Sequence, residues 1–234
     1  TIGYKNYPLY NNLNFLYISF VNEKILGAYM NFINETNEEK KNKTNDDDAL
    51  MQKFLNTRQI ILAGEINKEL SEKIVRQLLL MESLSATKPI YIYIDSPGGD
   101  ADAGFAIFDM IRFIKAPVVL IGMGLVASAA ALVLLAVPKD RRAGLPNSHY
   151  LIHQPMSGMK GVATDIEIHA KELAKTHAKL NRIIAEETGT SEEQVAKDTD
   201  RDHWLDADEA KQYGLISRVV KTRAEIVKGD SGAK

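Results

Sequence analysis

The sequence predicts an α/β fold built from stacked βαβ-like units. Two observations carry the prediction. From Ala49 onward, short apolar runs of strand length alternate with longer segments whose apolar residues recur every three or four positions. Turn and cap signals separate them: Asp95-Ser-Pro-Gly-Gly99, and glycines at 189 and 214 where helices should stop. With 234 residues, the chain is long enough for one sizeable domain with extensions.

Residues 59–63 read as a short strand. Residues 67–85 read as a helix, because Leu70, Ile74, Leu78 and Met81 fall on one face. Residues 90–94 are a strand in which three isoleucines alternate with Tyr91 and Tyr93, so the period of two sets both tyrosines on one face. A strand buried on both faces is usually aliphatic throughout. The tyrosines therefore point to an apolar face that reaches water or a neighbouring subunit. A turn at 95–99, a helix over 101–114 ending at Phe113, and a strand over 117–122 follow. Ser128 then opens a greasy helix running to 137, and residues 145–153 are extended. Thr164-Asp-Ile-Glu167 predicts a capping box opening a long helix that ends at Gly189. Its residues Ile166, Leu173, Leu180 and Ile184 form one stripe. Asp206-Ala-Asp-Glu209 starts a further helix, Gly214 stops it, and residues 215–220 are the last strand. No internal repeat is present.

Composition narrows the function classes. A net charge of −2 gives no push toward nucleic acid or an anionic membrane. The absence of cysteine excludes disulfides, thiolate metal sites and cysteine nucleophiles, and fits a reducing compartment. The apolar runs at 14–21 and 126–137 fall short of the ~20 residues a membrane helix needs. Residues 1–29, rich in Asn and Tyr, lack the basic run and cleavage site of a signal peptide, and no arginine precedes Arg58. The chain begins with Thr, so either Met30 is the start and 1–29 a start-site artefact, or 1–29 is a genuine prosegment. Residues 34–48 are almost wholly polar and are expected to be mobile. The expected organisation is a flexible extension over 1–48, a folded domain over 49–222 and a tail over 223–234.

The lone hydroxyl of Ser128 admits several readings. Gly122-Met-Gly124-Leu-Val-Ala127 matches a dinucleotide fingerprint formally, but no acidic residue closes a second strand ~20 residues on. A G-x-S-x-G elbow would need glycines where Val126 and Ala130 stand. A plain helix cap accounts for the fragment alone. A nucleophile needs a base, an orienting group for that base, and donors for the oxyanion. His153 ends an extended segment, Asp202 follows in a Asp-Thr-Asp-Arg-Asp run, and a second glycine turn lies at 96–99. Each has a bland reading as well: a satisfied histidine, a solvated acidic loop, a tight turn at Gly98 and Gly99. His149 and His153 form an H-x-x-x-H pair, but Pro146 and the extended context spoil the helical geometry a metal pair would use, and His169 and His177 are expected at the surface.

The run from YIYIDSPGGDADAGF through GMGLVASAAA, LPNSHYLIHQPMSGMKGVATDIEIHAKEL and DTDRDHWLDADEAKQYGLI resembles the proteolytic subunits of the Clp protease family, ClpP, over residues 50–222. The resemblance implies a ClpP/crotonase-like spiral of βαβ-type units with a protruding long helix. It implies a serine endopeptidase in which Ser128 is the nucleophile, His153 the base and Asp202 its orienter. The backbone N–H groups of Gly99 and Ala129 would form the oxyanion hole, and residues 156–161 would hold substrate as an added strand. It further implies two stacked seven-membered rings joined through the long helix and Arg201. Unfolded polypeptide would be fed in by a hexameric AAA+ ATPase docking at Tyr91, Tyr93 and Phe113. ATP would be used by that partner, with no cofactor or metal in this subunit, in the cytoplasm. Two departures stand out. The nucleophile segment reads V-A-S-A-A-A where the family has A-A-S-M-G-A, and a polar stretch ending in Asp46-Asp-Asp48 replaces the usual hydrophobic axial segment. The competing readings are a catalytically poor ring subunit beside an active paralogue, and a crotonase-type acyl-CoA enzyme. The I-H-Q-P and D-T-x-R-D segments disfavour the latter.

Overall fold

A computed structural model describes residues 53, 54 and 56–229. The expectations for residues 1–48 and for the last five residues lie outside it. Three βα steps come first: β1 (Gln59–Ala63), α1 (Lys68–Leu84), β2 (Ile90–Ser96), α2 (Ala101–Phe113), β3 (Val118–Ala127) and α3 (Ala129–Leu134). A 3-10 turn leads to β4 (Arg142–Gly144), then β5 (His149–Ile152) and the long α4 (Ala163–Thr188). The chain continues through α5 (Glu192–Asp198), β6 (His203–Leu205), α6 (Ala207–Tyr213), β7 (Arg218–Val219) and α7 (Arg223–Gly229).

Among the described residues, seven strands make one sheet with the path β1-β2-β3-β4-β7. β1, β2, β3, β4 and β7 pair in parallel, as βαβ connections require. The predicted alternation in β2 sorts its side chains. Ile90, Ile92 and Ile94 are fully buried in the main core with Ile74, Leu78 and Met81 of α1 and Ile107, Phe108 and Ile111 of α2. Each such side chain contributes about 1.5–3 kcal/mol. Tyr91 and Tyr93 take the opposite face, half-buried against Val119, Ile121, Ala143, Val220 and Ile226. Residues 223–229, read from sequence as a tail, are thus a helix whose Ile226 is buried.

Several expectations are corrected. β3 does not stop at 122 but runs to Ala127. Its register with β2 shifts between Ile94 and Ser96, Gly124 takes φ +55°, and Asp95 accepts the Leu125 N–H at 3.0 Å. This irregularity lets the strand change partners, from β4 at residues 120–122 to β5 at 125–127. Both glycines of the formal fingerprint therefore sit inside a strand. A Cβ at Gly122 would lie 2.6 Å from the Tyr150 hydroxyl, so this glycine makes room for a packed tyrosine, not a phosphate. The helix after Ser128 ends at Leu134, tightened by i−3 bonds from Leu135 and Ala136 just before Pro138. The capping box at 164–167 does not form. α4 starts at Ala163 with Val162 as its uncapped N-cap, and the backbone carbonyl of Val162 already takes the Ile166 N–H. The capping box that exists is at the next predicted start, where Asp206 and Glu209 accept each other's N–H at 2.8 Å. The final strand is only Arg218–Val219. The sequence reading contained neither α5 nor β6.

Candidate active site

Ser128 sits between β3 and α3 with φ 57° and ψ −120°, a backbone state that costs a non-glycine residue about 1–3 kcal/mol. Its side chain makes no capping hydrogen bond, so the helix-cap reading fails. Two neighbours hold the strained backbone. The Ser128 N–H donates to the Leu151 carbonyl at 2.9 Å. Gly98, at φ +88°, packs directly beneath. A Cβ there would lie 2.6 Å from the Ala127 carbonyl oxygen, 2.7 Å from Ser128 Cβ and 2.9 Å from Ala129 N. Gly98 is itself tied down by the fully buried Ser96 hydroxyl, which accepts its N–H at 3.1 Å.

His153 follows the last residue of β5, and β6 delivers Asp202 to it. β6 pairs antiparallel with β5, setting Ile152 opposite His203, so the residues just beyond each strand end face one another. Their side chains meet: His153 Nδ1 lies 3.1 Å from Asp202 Oδ1, with the His153 side chain 13% exposed and Asp202 61% exposed. Gln154 staples the two segments together. Its N–H donates to the Thr199 carbonyl, and its amide Nε2 to the Asp200 carbonyl, both at 2.6 Å. Fully buried Thr199 in turn donates to Asn181 of α4 at 2.8 Å. In the tautomer that donates Nδ1–H to the carboxylate, Nε2 is the ring's acceptor.

Ser128, His153, Gly99 and Ala129 line one cavity of about 610 Å³, walled on its far side by Leu173, Leu180 and other residues of α4. No Ser128–His153 hydrogen bond forms among the described residues; such contacts commonly tighten only once substrate is bound. Ala129 is the first residue of α3, so its N–H has no acceptor within the helix. The Gly99 N–H likewise donates to no group among the described residues. Asp202 lies within the cavity's neighbourhood only through His153.

The other expected residues are more scattered. The Arg201 side chain is 91% exposed and pairs with Asp200 at 3.8 Å. Phe113 is 78% exposed at the end of α2, whose core lies on the isoleucine face of the sheet. Within one chain it is therefore not on the face of Tyr91 and Tyr93. Residues 156–161 form no strand. Among the described residues no group of histidines and carboxylates is arranged to hold a metal ion. Sequence reasoning passed over Gly98, Gln154 and Thr199. The first looked like an ordinary turn residue, and the other two act through hydrogen bonds to residues far along the chain, which leave no periodic trace.

Fold and site together define a class: a serine peptidase on the ClpP/crotonase-like α/β scaffold. The family model for Clp protease matches residues 40–223. The chain is 82% identical over 197 residues to "ATP-dependent Clp protease proteolytic subunit 2" of Treponema denticola, covering 84% of this chain and 98% of the relative. The protein of the same name in Treponema pallidum is 63% identical over 193 residues, 82% of this chain and 97% of that one. A solved ClpP1 mutant from Listeria monocytogenes superposes with a TM-score of 0.71 at 47% identity, covering 76% of this chain and 99% of that one. The chain belongs to the Clp protease family.

Proposed function

We propose that this chain is the proteolytic subunit of an ATP-dependent Clp protease, a serine endopeptidase that cleaves unfolded polypeptide inside a closed chamber. The observation that carries the reading is the His153–Asp202 pair, whose histidine lines the same cavity as a serine held at positive φ. Ser128 Oγ attacks the peptide carbonyl carbon while its proton passes to His153 Nε2. Asp202 orients the imidazole and stabilises its charged form. The N–H groups of Gly99 and Ala129 receive the developing oxyanion. His153 then gives the proton to the leaving amine; water, deprotonated by the same imidazole, attacks the acyl carbonyl, and His153 returns that proton to Ser128 Oγ as the acid product leaves. No step calls for a metal or an organic cofactor.

The chamber is formed by two stacked seven-membered rings, joined through α4 and Arg201. Val162, Ile166 and Ile168, exposed at the start of α4, support this, because exposed apolar side chains grouped together mark contact surfaces. A hexameric AAA+ ATPase docks on Tyr91 and Tyr93, with Phe113 supplied across a subunit boundary. No described helix is long and apolar enough to cross a membrane. We place the assembly in the cytoplasm, in keeping with the family resemblance and the absence of cysteine. Residues 49–222, with the helix at 223–229 packed on them, are the catalytic domain; 1–48 is an extension, of which 1–29 is dispensable for peptide cleavage. The test is Ser128→Ala. Peptidase activity should fall by orders of magnitude and labelling by a serine-reactive probe should vanish, since such a triad acts as a unit. Hydrolysis at the wild-type rate would overturn the reading.

A further inference from the structure

The segment joining His153 to α4 borders the catalytic cavity yet is barely held. Residues 153–160 form neither helix nor strand, and Met156 is 82% exposed. Among the described residues, positions 155–161 make one hydrogen bond to the rest of the chain: Ser157 Oγ to His169 Nε2, at 2.8 Å. Both residues line the cavity that holds Ser128 and His153. His169 stands on the second turn of α4 and is half-buried, contrary to the surface position its sequence context suggested. A hydroxyl both donates and accepts, so the bond can form with either neutral tautomer of the ring or with its charged form.

We infer that Ser157 and His169 are positioning residues whose hydrogen bond ties the cavity-side segment to α4 and holds it open to the main chain of a bound peptide. This rests on the peptidase reading above. An extended segment with unpaired backbone N–H and C=O groups can receive a peptide as an added strand. A loose segment must be ordered each time a peptide binds, and that entropy is charged against affinity. The tie removes part of the charge in advance. Among the described residues neither side chain hydrogen-bonds Ser128 or His153, so the effect belongs in substrate binding and not in the chemical step.

The experiment compares Ser157→Ala, His169→Ala, the double variant and His169→Gln in the full assembled protein, using a fluorogenic peptide. Each alanine variant should raise KM about fivefold, the effect of one neutral hydrogen bond. Their kcat should stay within about twofold of wild type. The double variant should be no worse than either single one, because both remove the same bond. His169→Gln, which can still reach Ser157, should recover most of the loss. A small serine-reactive probe should label Ser128 at the wild-type rate throughout. Amide exchange over residues 155–161 should speed up in His169→Ala while α4 keeps its protection, a readout independent of activity. Unchanged KM and exchange would overturn the inference, as would additive losses or a fall in kcat that tracks melting temperature. If the wild-type chain itself neither cleaves peptide nor takes the probe, the peptidase reading fails first and this inference with it.

Discussion

A methyl group at position 98 tests how the nucleophile is held. Gly98 lies under Ser128 at φ +88°, and an added Cβ would press on the Ala127 carbonyl, Ser128 Cβ and Ala129 N together. All three are backbone or rigid atoms, so the two loops must separate. The displacement reaches the Ala129 N–H, the proposed oxyanion donor, and Ser128 in one movement. Gly98→Ala should therefore lower kcat/KM at least about 100-fold, the size of effect seen when reacting groups shift by about 1 Å. Far-ultraviolet circular dichroism should report a folded protein. Probe labelling of Ser128 at the wild-type rate would show that Gly98 does not position the nucleophile.

At the scale of the element, β5 is the hinge of the site, and Tyr150 anchors it. The side chain is fully buried, with its hydroxyl 2.9 Å from Ser148 Oγ and against Gly122 and Gly144. Burial pushes the phenol up to about 12, opposed in part by the Ser148 hydroxyl. Tyr213 is also raised, by burial and by its hydrogen bond to Asp198. A raised acid favours its neutral form in the folded state. Its contribution is full below the unfolded value near 10 and is lost as pH climbs through the folded one. The denaturant midpoint should hold steady from neutral pH to about 10, then fall between about 10 and 12. Tyr150→Phe should cost about 1 kcal/mol at neutral pH and blunt part of the alkaline fall. An alkaline limb identical in Tyr150→Phe would remove Tyr150 as its source. Across from β5, α4 is fastened by Arg142, only 1% exposed, whose Nη2 donates to the Glu187 carbonyl at 2.9 Å and its carboxylate at 3.1 Å. Glu187 also pairs with Arg112. The cavity's far wall is thus bound to the sheet by charge as well as by packing.

For the whole molecule, the proposed double ring would give the exposed features of the single chain a use. Arg201 follows the acidic loop directly before Asp202, and its side chain is almost wholly in solvent. If it contacts an acidic residue of the opposite ring, assembly and the His153–Asp202 geometry are coupled through adjacent residues. Arg201→Ala should then shift the sedimentation profile toward single rings or smaller species and lower peptidase activity in parallel. Full activity in a monomer would contradict the coupling. On the sheet's other face, Ile61 is 49% exposed and pairs in register with Tyr93, so an apolar strip runs from the edge strand toward Ile121. Tyr93→Ala should impair ATPase-driven degradation of a folded substrate while sparing short peptides. Equal loss of both activities would assign Tyr93 to packing against Ile226 and its neighbours.

What the sequence by itself determined was the list of parts and their local form. The alternation of Ile90, Tyr91, Ile92, Tyr93 and Ile94 sorted one strand's two faces, and the stripe from Leu70 to Met81 gave α1 its buried side. Ser128, His153 and Asp202 were legible as candidates because their motifs stand in order along the chain. These are local signals, carried by periodicity and short motifs. Tertiary structure alone decided the positive φ of Ser128, since the strain depends on Gly98, 30 residues earlier in the chain, and on a bond to Leu151. It decided that β3 passes through Gly122 and Gly124, because Asp95 of the neighbouring strand takes the Leu125 N–H. It decided that α4 begins before Thr164, and that Ser157 meets His169. The meeting of His153 with Asp202 was decided by β5–β6 pairing, and β6, three residues long, is too short to show a period. Strand pairing and close packing join residues far apart in sequence, and no local pattern encodes the distance between them.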